Sequence, residues 1–136
     1  ASCGYDFIHN VLIRICHNSF FQSIFLNQGF KVELTQQTKD GGYDLKICQN
    51  SKLKNELILI EVKHVNPRRP VRVGIVRELY GVRALNKADK AVLVTSSYIS
   101  EYAKREFSRV IPLELDFVER KDILDWCKKY YNKILR

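Results

Sequence analysis

The sequence predicts an α/β fold, a mixed β-sheet covered by helices on both faces. Two observations lead there. The apolar spacing switches between the helical and the strand period in the order α-β-β-β-α-β-α-β-α. Within that order the run Leu57–Val62 is apolar on both faces, which suits the middle of a sheet rather than its edge.

Each element has its own grounds. In residues 1–28 the apolar positions Ile8, Val11, Leu12, Ile15, Phe20, Phe21, Ile24 and Phe25 fit one long helix or two short ones, with Gly29 as the stop. Phe30, Val32 and Leu34 alternate with Lys31, Glu33 and Thr35, giving a strand with one wet face. Lys39-Asp40-Gly41-Gly42 forms a turn, because paired glycines take positive φ without steric penalty. A strand over Tyr43–Cys48, a polar hairpin loop over Ser51–Asn55 and the apolar strand follow. From Val71 to Ala88 the period is helical, and Gly74 and Gly81 share a face that is expected to pack closely on the sheet. A buried strand at Ala91–Thr95, a helix capped by Ser100 and running to about Phe107, a short strand at Ile111–Leu115 and an amphipathic helix over Asp122–Leu135 complete the order.

Composition narrows the function classes. At 136 residues, 46% hydrophobic and 28% charged, the chain has the content of one ordinary globular domain. No apolar run is long enough to span a bilayer and no secretory signal is evident, so a cytoplasmic location without membrane attachment is expected. The net charge of +8 favours an anionic partner, nucleic acid first. Cys3, Cys16, Cys48 and Cys127 lack zinc-site spacing and read as reduced thiols.

The chemistry concentrates on the apolar strand. Leu57, Leu59, Glu61 and Lys63 share one side of it, because side chains alternate along a strand. A central strand that turns from apolar to charged needs partners for those charges. Asp44, at the start of the neighbouring strand, lies close to Glu61 if the two strands form an antiparallel hairpin. Two carboxylates held together repel, and a divalent cation relieves the conflict while supplying a Lewis acid. Lys63 would enter the same site, to orient a water or to stabilise charge on a phosphoryl group. The plainer alternative is a Glu61–Lys63 ion pair at a sheet edge, against which the apolar continuity of Leu57–Val62 argues.

Four ordered blocks carry a family resemblance. Thr38-Lys39-Asp40-Gly41-Gly42-Tyr43-Asp44-Leu45 resembles the T-x-D-G-G-x-D segment of the Mrr-like restriction endonucleases. Leu59-Ile60-Glu61-Val62-Lys63-His64 resembles their strand bearing Glu (or Gln)-x-Lys. The stretches Val76–Val82 and Lys90–Ser97 resemble the helix and strand that follow, and Ile111–Leu115 with Leu124-Asp125-Trp126 extends the match from about Gly29 to Trp126. The resemblance implies the PD-(D/E)xK restriction-endonuclease-like fold, a three-layer mixed sheet flanked by helices with an αβββαβ core. It implies a single nuclease domain over 1–136, with 1–28 as an N-terminal helical segment and 29–136 as the catalytic core. The implied activity is Mg2+-dependent hydrolysis of DNA phosphodiesters, with Mn2+ as a substitute. A junction-resolving nuclease and a non-catalytic DNA-binding module on the same fold are the alternatives.

Carried over residue by residue, Asp44 and Glu61 would bind the metal, and Lys63 would act on the water or the transition state. Asp40 shapes the turn, with an outer-shell metal role as a second option. Relatives often carry an acid on the first helix. Here His17-Asn18-Ser19 occupies that stretch, and the Asn18 amide oxygen is the candidate replacement. Arg68, Arg69 and Arg72, directly after the catalytic strand, are candidate phosphate contacts, or else a solvated basic loop. His64 points away from the lysine and reads as a packing or hydrogen-bonding residue. The hydroxyls of Thr95, Ser96 and Ser97 either contact phosphate or simply end the strand. With one site per chain, cutting both strands of a duplex calls for a homodimer, sequential nicking, or an additional DNA-recognition domain or subunit.

Overall fold

In the computed structural model, which describes residues 30–34, 45–50, 55–125 and 128, the strands and helices alternate as a hairpin followed by crossovers. The elements are β1 (Phe30–Leu34), β2 (Leu45–Asn50), β3 (Asn55–Lys63), β4 (Pro70–Val71), α1 (Val73–Leu85), β5 (Lys90–Thr95), β6 (Tyr98–Ile99), α2 (Glu101–Glu106) and β7 (Leu115–Val118). The chain is helical again at 120–125 and at 128. The expected helical segment 1–28, the turn at 39–42 and Trp126 lie outside the described residues. No helix among the described residues is long and apolar enough to cross a membrane.

The main sheet has five strands in the order β1-β2-β3-β5-β7. Its first half is antiparallel, with Phe30 opposite Gln49 and Leu45 opposite Ile60. Its second half is parallel, with Glu61 opposite Leu93 and Ala91 opposite Leu115. β3 belongs to both halves and is paired along both edges, as its two apolar faces demand. Parallel neighbours need a crossover, and α1 supplies it between β3 and β5.

The core lies where the crossover helices meet the parallel half. Val76 and Leu79 of α1 are fully buried and cluster with Ala91 and Leu93 of β5 and Leu115 of β7. Val71, Ile99 and Ala103 close the same cluster. Each fully buried Leu, Ile or Val contributes about 1.5–3 kcal/mol relative to exposure. The Ser100 hydroxyl accepts the Ala103 N–H at 3.2 Å, so the expected cap of α2 is present.

Four sequence expectations are corrected. α1 starts at Val73, not Val71, because Pro70–Val71 pairs in parallel with Tyr98–Ile99 as a small second sheet. Gly74 and Gly81 make no close approach to the sheet: a Cβ at either would meet nothing within 4 Å. α1 docks through Val76 and Leu79, which leaves both glycines outward. The strand expected at Ile111–Leu115 is a turn, and pairing begins only at Leu115. Pro112 offers no N–H to a ladder, and the Val110 carbonyl takes the N–H groups of Glu114 at 2.8 Å and Leu115 at 3.3 Å. The last helix is under way at 120, because Asp122 caps from inside its first turn, accepting the Glu119 N–H at 2.9 Å.

Candidate active site

β3 brings two of the sequence-predicted residues together. Glu61 and Lys63 extend the side of β3 that carries the buried Leu59, and the register puts them beside Leu93 and Thr95 of β5. Lys63 Nζ lies 3.1 Å from Glu61 Oε1. The carboxylate is largely withdrawn, at 16% side-chain exposure, whereas the lysine at 41% reaches solvent. A carboxylate in that half-screened position keeps hard oxygen ligands available, and the ammonium beside it is open to an anion. β3 is a central strand of the sheet, and at Glu61 and Lys63 the described pairing is to β5.

Asp44, Asp40 and Asn18 lie outside the described residues. The antiparallel hairpin that the sequence reading required is formed, and its described ladder ends at Leu45 opposite Ile60, one residue short of Glu61. Among the described residues no group of three or more His, Cys, Asp or Glu side chains gathers as a metal site. Glu61 therefore stands as the described carboxylate of the proposed pair.

The chain leaves Lys63 through a basic turn. Asn66 organises it: its side-chain oxygen accepts the Arg68 N–H at 3.0 Å and its carbonyl accepts the Arg69 N–H at 2.9 Å. Arg68, Arg69 and Arg72 are all exposed, at the Lys63 end of β3. Arg72 is the N-cap residue of α1 and makes no side-chain cap bond, which leaves its guanidinium outside the helix.

The hydroxyls at the end of β5 make internal hydrogen bonds. Thr95, Ser96 and Ser97 are all buried, which favours the strand-ending role over the phosphate contact. Thr95 Oγ1 accepts the Ser97 N–H at 3.1 Å, and the Ser97 hydroxyl donates to the Arg69 carbonyl. Ser96 Oγ lies 3.0 Å from His64 Nδ1, which makes His64 the hydrogen-bonding residue that the sequence suggested.

A cleft of about 340 Å³ opens nearby, lined by Pro67, Tyr98, Lys104 and Arg120 among others. Its floor holds Glu119, a buried acid that the sequence reading missed. Glu119 accepts Lys104 Nζ at 2.9 Å and the Ile99 N–H at 2.9 Å, with Lys121 at 3.8 Å. Burial pushes its carboxyl up, but the Lys104 and Ile99 hydrogen bonds and the two lysine charges outweigh it and hold the group below its ordinary value. Nothing in a lone Glu before Arg-Lys-Asp signals burial; the capping Asp122 was the available clue.

Residues 18–127 match the family model Mrr_cat, described as restriction endonuclease. The chain belongs to this restriction endonuclease family. Its fold is restriction-endonuclease-like. The structure superposes on the MspJI restriction endonuclease in complex with a 27-mer oligonucleotide, with a TM-score of 0.59 and 18% identity over 87% of this chain. It superposes on the DNA modification-dependent restriction endonuclease AspBHI with a TM-score of 0.57 and 20% identity over 85% of this chain. Among curated proteins it is 24% identical over 79% of its length to the uncharacterized protein y4cE of Sinorhizobium fredii. The Mrr_cat chain spans only about a quarter of these proteins: 28% of MspJI, 28% of AspBHI and 27% of y4cE.

Proposed function

We propose that this chain is a single nuclease domain that hydrolyses DNA phosphodiesters with a divalent cation, Mg2+ or Mn2+. The observation that carries the reading is the Glu61–Lys63 pair, 3.1 Å apart on the central strand of a member of a restriction endonuclease family. A DNA substrate fits the net charge of +8 and the exposed arginines beyond Lys63. It also accords with the oligonucleotide in the MspJI complex and with AspBHI being a DNA modification-dependent restriction endonuclease.

The donor set fits a hard cation. Glu61, with Asp44 as the second carboxylate, would hold it through the oxygen ligands Mg2+ prefers. When bound, the cation supplies Lewis-acid stabilisation and an activated water. Glu61 holds the Lys63 ammonium on the open side of the site. Lys63 Nζ donates to the attacking water or to a non-bridging phosphoryl oxygen, where negative charge grows as water attacks phosphorus and the ester oxygen leaves. Arg68, Arg69 and Arg72 hold flanking phosphates, which fixes the scissile bond over the strand without reading bases. One such site cuts one strand, so a double-strand break takes two copies or two successive nicks.

Plasmid cleavage tests the proposal. Wild type, Asp44→Ala and Lys63→Ala are compared in Mg2+, Mn2+ and EDTA at matched purity. Metal-dependent nicking lost in both variants is the expected result. Cleavage that survives both substitutions would reject these residues, and DNA binding without cleavage in any metal would reject the enzyme.

A further inference from the structure

The end of the catalytic strand is held by one buried hydroxyl. The β3–β5 ladder closes at Lys63 opposite Thr95, and the Ser96 N–H reaches the Lys63 carbonyl at 3.4 Å. Beyond that point the Ser96 side chain takes over. Its Oγ accepts the Val65 N–H at 2.9 Å and donates to the Val65 carbonyl at 2.7 Å. One side chain thus satisfies both backbone groups of Val65, as a further ladder rung would. Ser96 is 1% exposed, so no water can readily take its place.

The same oxygen also meets the ring of His64. A hydroxyl has one proton, and the Val65 carbonyl, which can only accept, claims it at 2.7 Å. His64 Nδ1 lies 3.0 Å from the same Oγ, which leaves that nitrogen the donor's part when the hydroxyl proton is directed at the Val65 carbonyl. This arrangement of the hydroxyl favours a proton on Nδ1 of His64. Lys63 is then flanked on both sides by tethered backbone: the ladder to β5 before it, and the Ser96 hydroxyl on the two residues after it.

We infer that Ser96 is a positioning residue, a hydroxyl clamp that locks residues 63–65 and so fixes where the Lys63 ammonium stands beside Glu61. The inference rests on the nuclease reading for its catalytic consequence, and on geometry for the clamp itself. Losing the clamp lets the lysine stray from its working position, and displacements of about 1 Å cost on the order of a hundredfold in rate. DNA binding, carried by side chains other than Ser96, is untouched.

The test joins single-turnover cleavage with NMR of the His64 ring on the full chain. Ser96→Ala is compared with Ser100→Ala, which removes a helix cap on α2 and so destabilises without touching β3. Both are assayed well below their melting temperatures. The expected result is a tenfold or larger fall in the cleavage rate for Ser96→Ala at unchanged DNA affinity, with Ser100→Ala near wild type and partial rescue by Ser96→Thr. Ring nitrogen shifts are expected to report the Nδ1–H tautomer in wild type and a mixture in Ser96→Ala. A Ser96→Ala rate no lower than that of Ser100→Ala overturns the positioning role. An Nε2–H ring in an active wild type overturns the clamp, even if Ser96→Ala fails to fold. A wild type that cleaves nothing fails the nuclease reading itself, and the catalytic role of Ser96 falls with it.

Discussion

Lys104 of α2 reaches across to Glu119, after β7, and the two side chains meet at 2.9 Å with the carboxylate only 8% exposed. The other carboxylate oxygen takes the Ile99 N–H at 2.9 Å, so one acid ties the small second sheet, α2 and the exit of β7 together. The ion pair is a structural joint beside the candidate site.

Its pH dependence has a defined sign. The folded pKa of Glu119 lies below the ordinary carboxylate value of 4.5, so its stabilisation is complete above that value and is lost as pH falls through the folded pKa. Glu119→Gln leaves Lys104 without its acceptor charge and is expected to lower stability near neutral pH by about 1–3 kcal/mol. The deficit shrinks on acidification. Urea unfolding of both proteins at neutral and acidic pH measures it, and a pH-independent difference would contradict the charge argument.

Lys63→Ala separates catalysis from stability. The side chain is 41% exposed and its one described ion pair is local, so the melting temperature is expected to stay close to wild type. The cleavage rate is expected to fall by about 100-fold or more. A large loss of stability would show that Lys63 serves the sheet instead.

Gly81→Ala is expected to stabilise the protein. The position is inside α1, faces open space and has room for a methyl group. Alanine there gains about 0.5–1 kcal/mol by restricting the unfolded chain and favouring the helix. A rise in the thermal midpoint with unchanged cleavage is the expected readout.

Tyr80 gives the alkaline counterpart of Glu119. Its hydroxyl donates to Glu114 at 2.6 Å, and that hydrogen bond, with burial and the carboxylate charge, raises its pKa above 10.0, against the lowering pull of Arg83. A raised folded pKa means the contribution is intact below the unfolded value and disappears as pH rises through the folded one. Tyr80→Phe is expected to cost about 1 kcal/mol near neutral pH and progressively less in alkali. Thermal melts across that range test it.

The central strand was legible because its signal is local and redundant: Leu57–Val62 is apolar on both faces, and Glu61-x-Lys63 breaks the pattern on one of them. The hairpin to β2 followed from the same run. The errors arise where two local patterns compete. Ile111-Pro112-Leu113-Glu114-Leu115 has strand alternation, yet Leu113 is 79% exposed and the true strand starts at its last residue. Helical spacing that starts at Val71 misleads for the opposite reason, since what makes Pro70–Val71 a strand is Tyr98–Ile99, far along the chain. The partners of Ser96 and the burial of Glu119 were hidden for that reason too. Their partners, Val65 and Lys104, come from other elements, and no periodicity encodes such a meeting.

β3 joins a half-sheet built from sequence neighbours to one that needs the α1 crossover. Along one edge it pairs with β2 through a short hairpin; along the other it waits for β5, which begins at Lys90. A chain interrupted before Lys90 would thus hold the acid and the lysine of the candidate site on a nine-residue, mostly apolar strand with a bare edge. Such an edge templates pairing between molecules. Synthesis of β5 consequently does two jobs in one step: it supplies the strand that Glu61 and Lys63 stand beside, and it seals the surface through which unfinished chains would stick together.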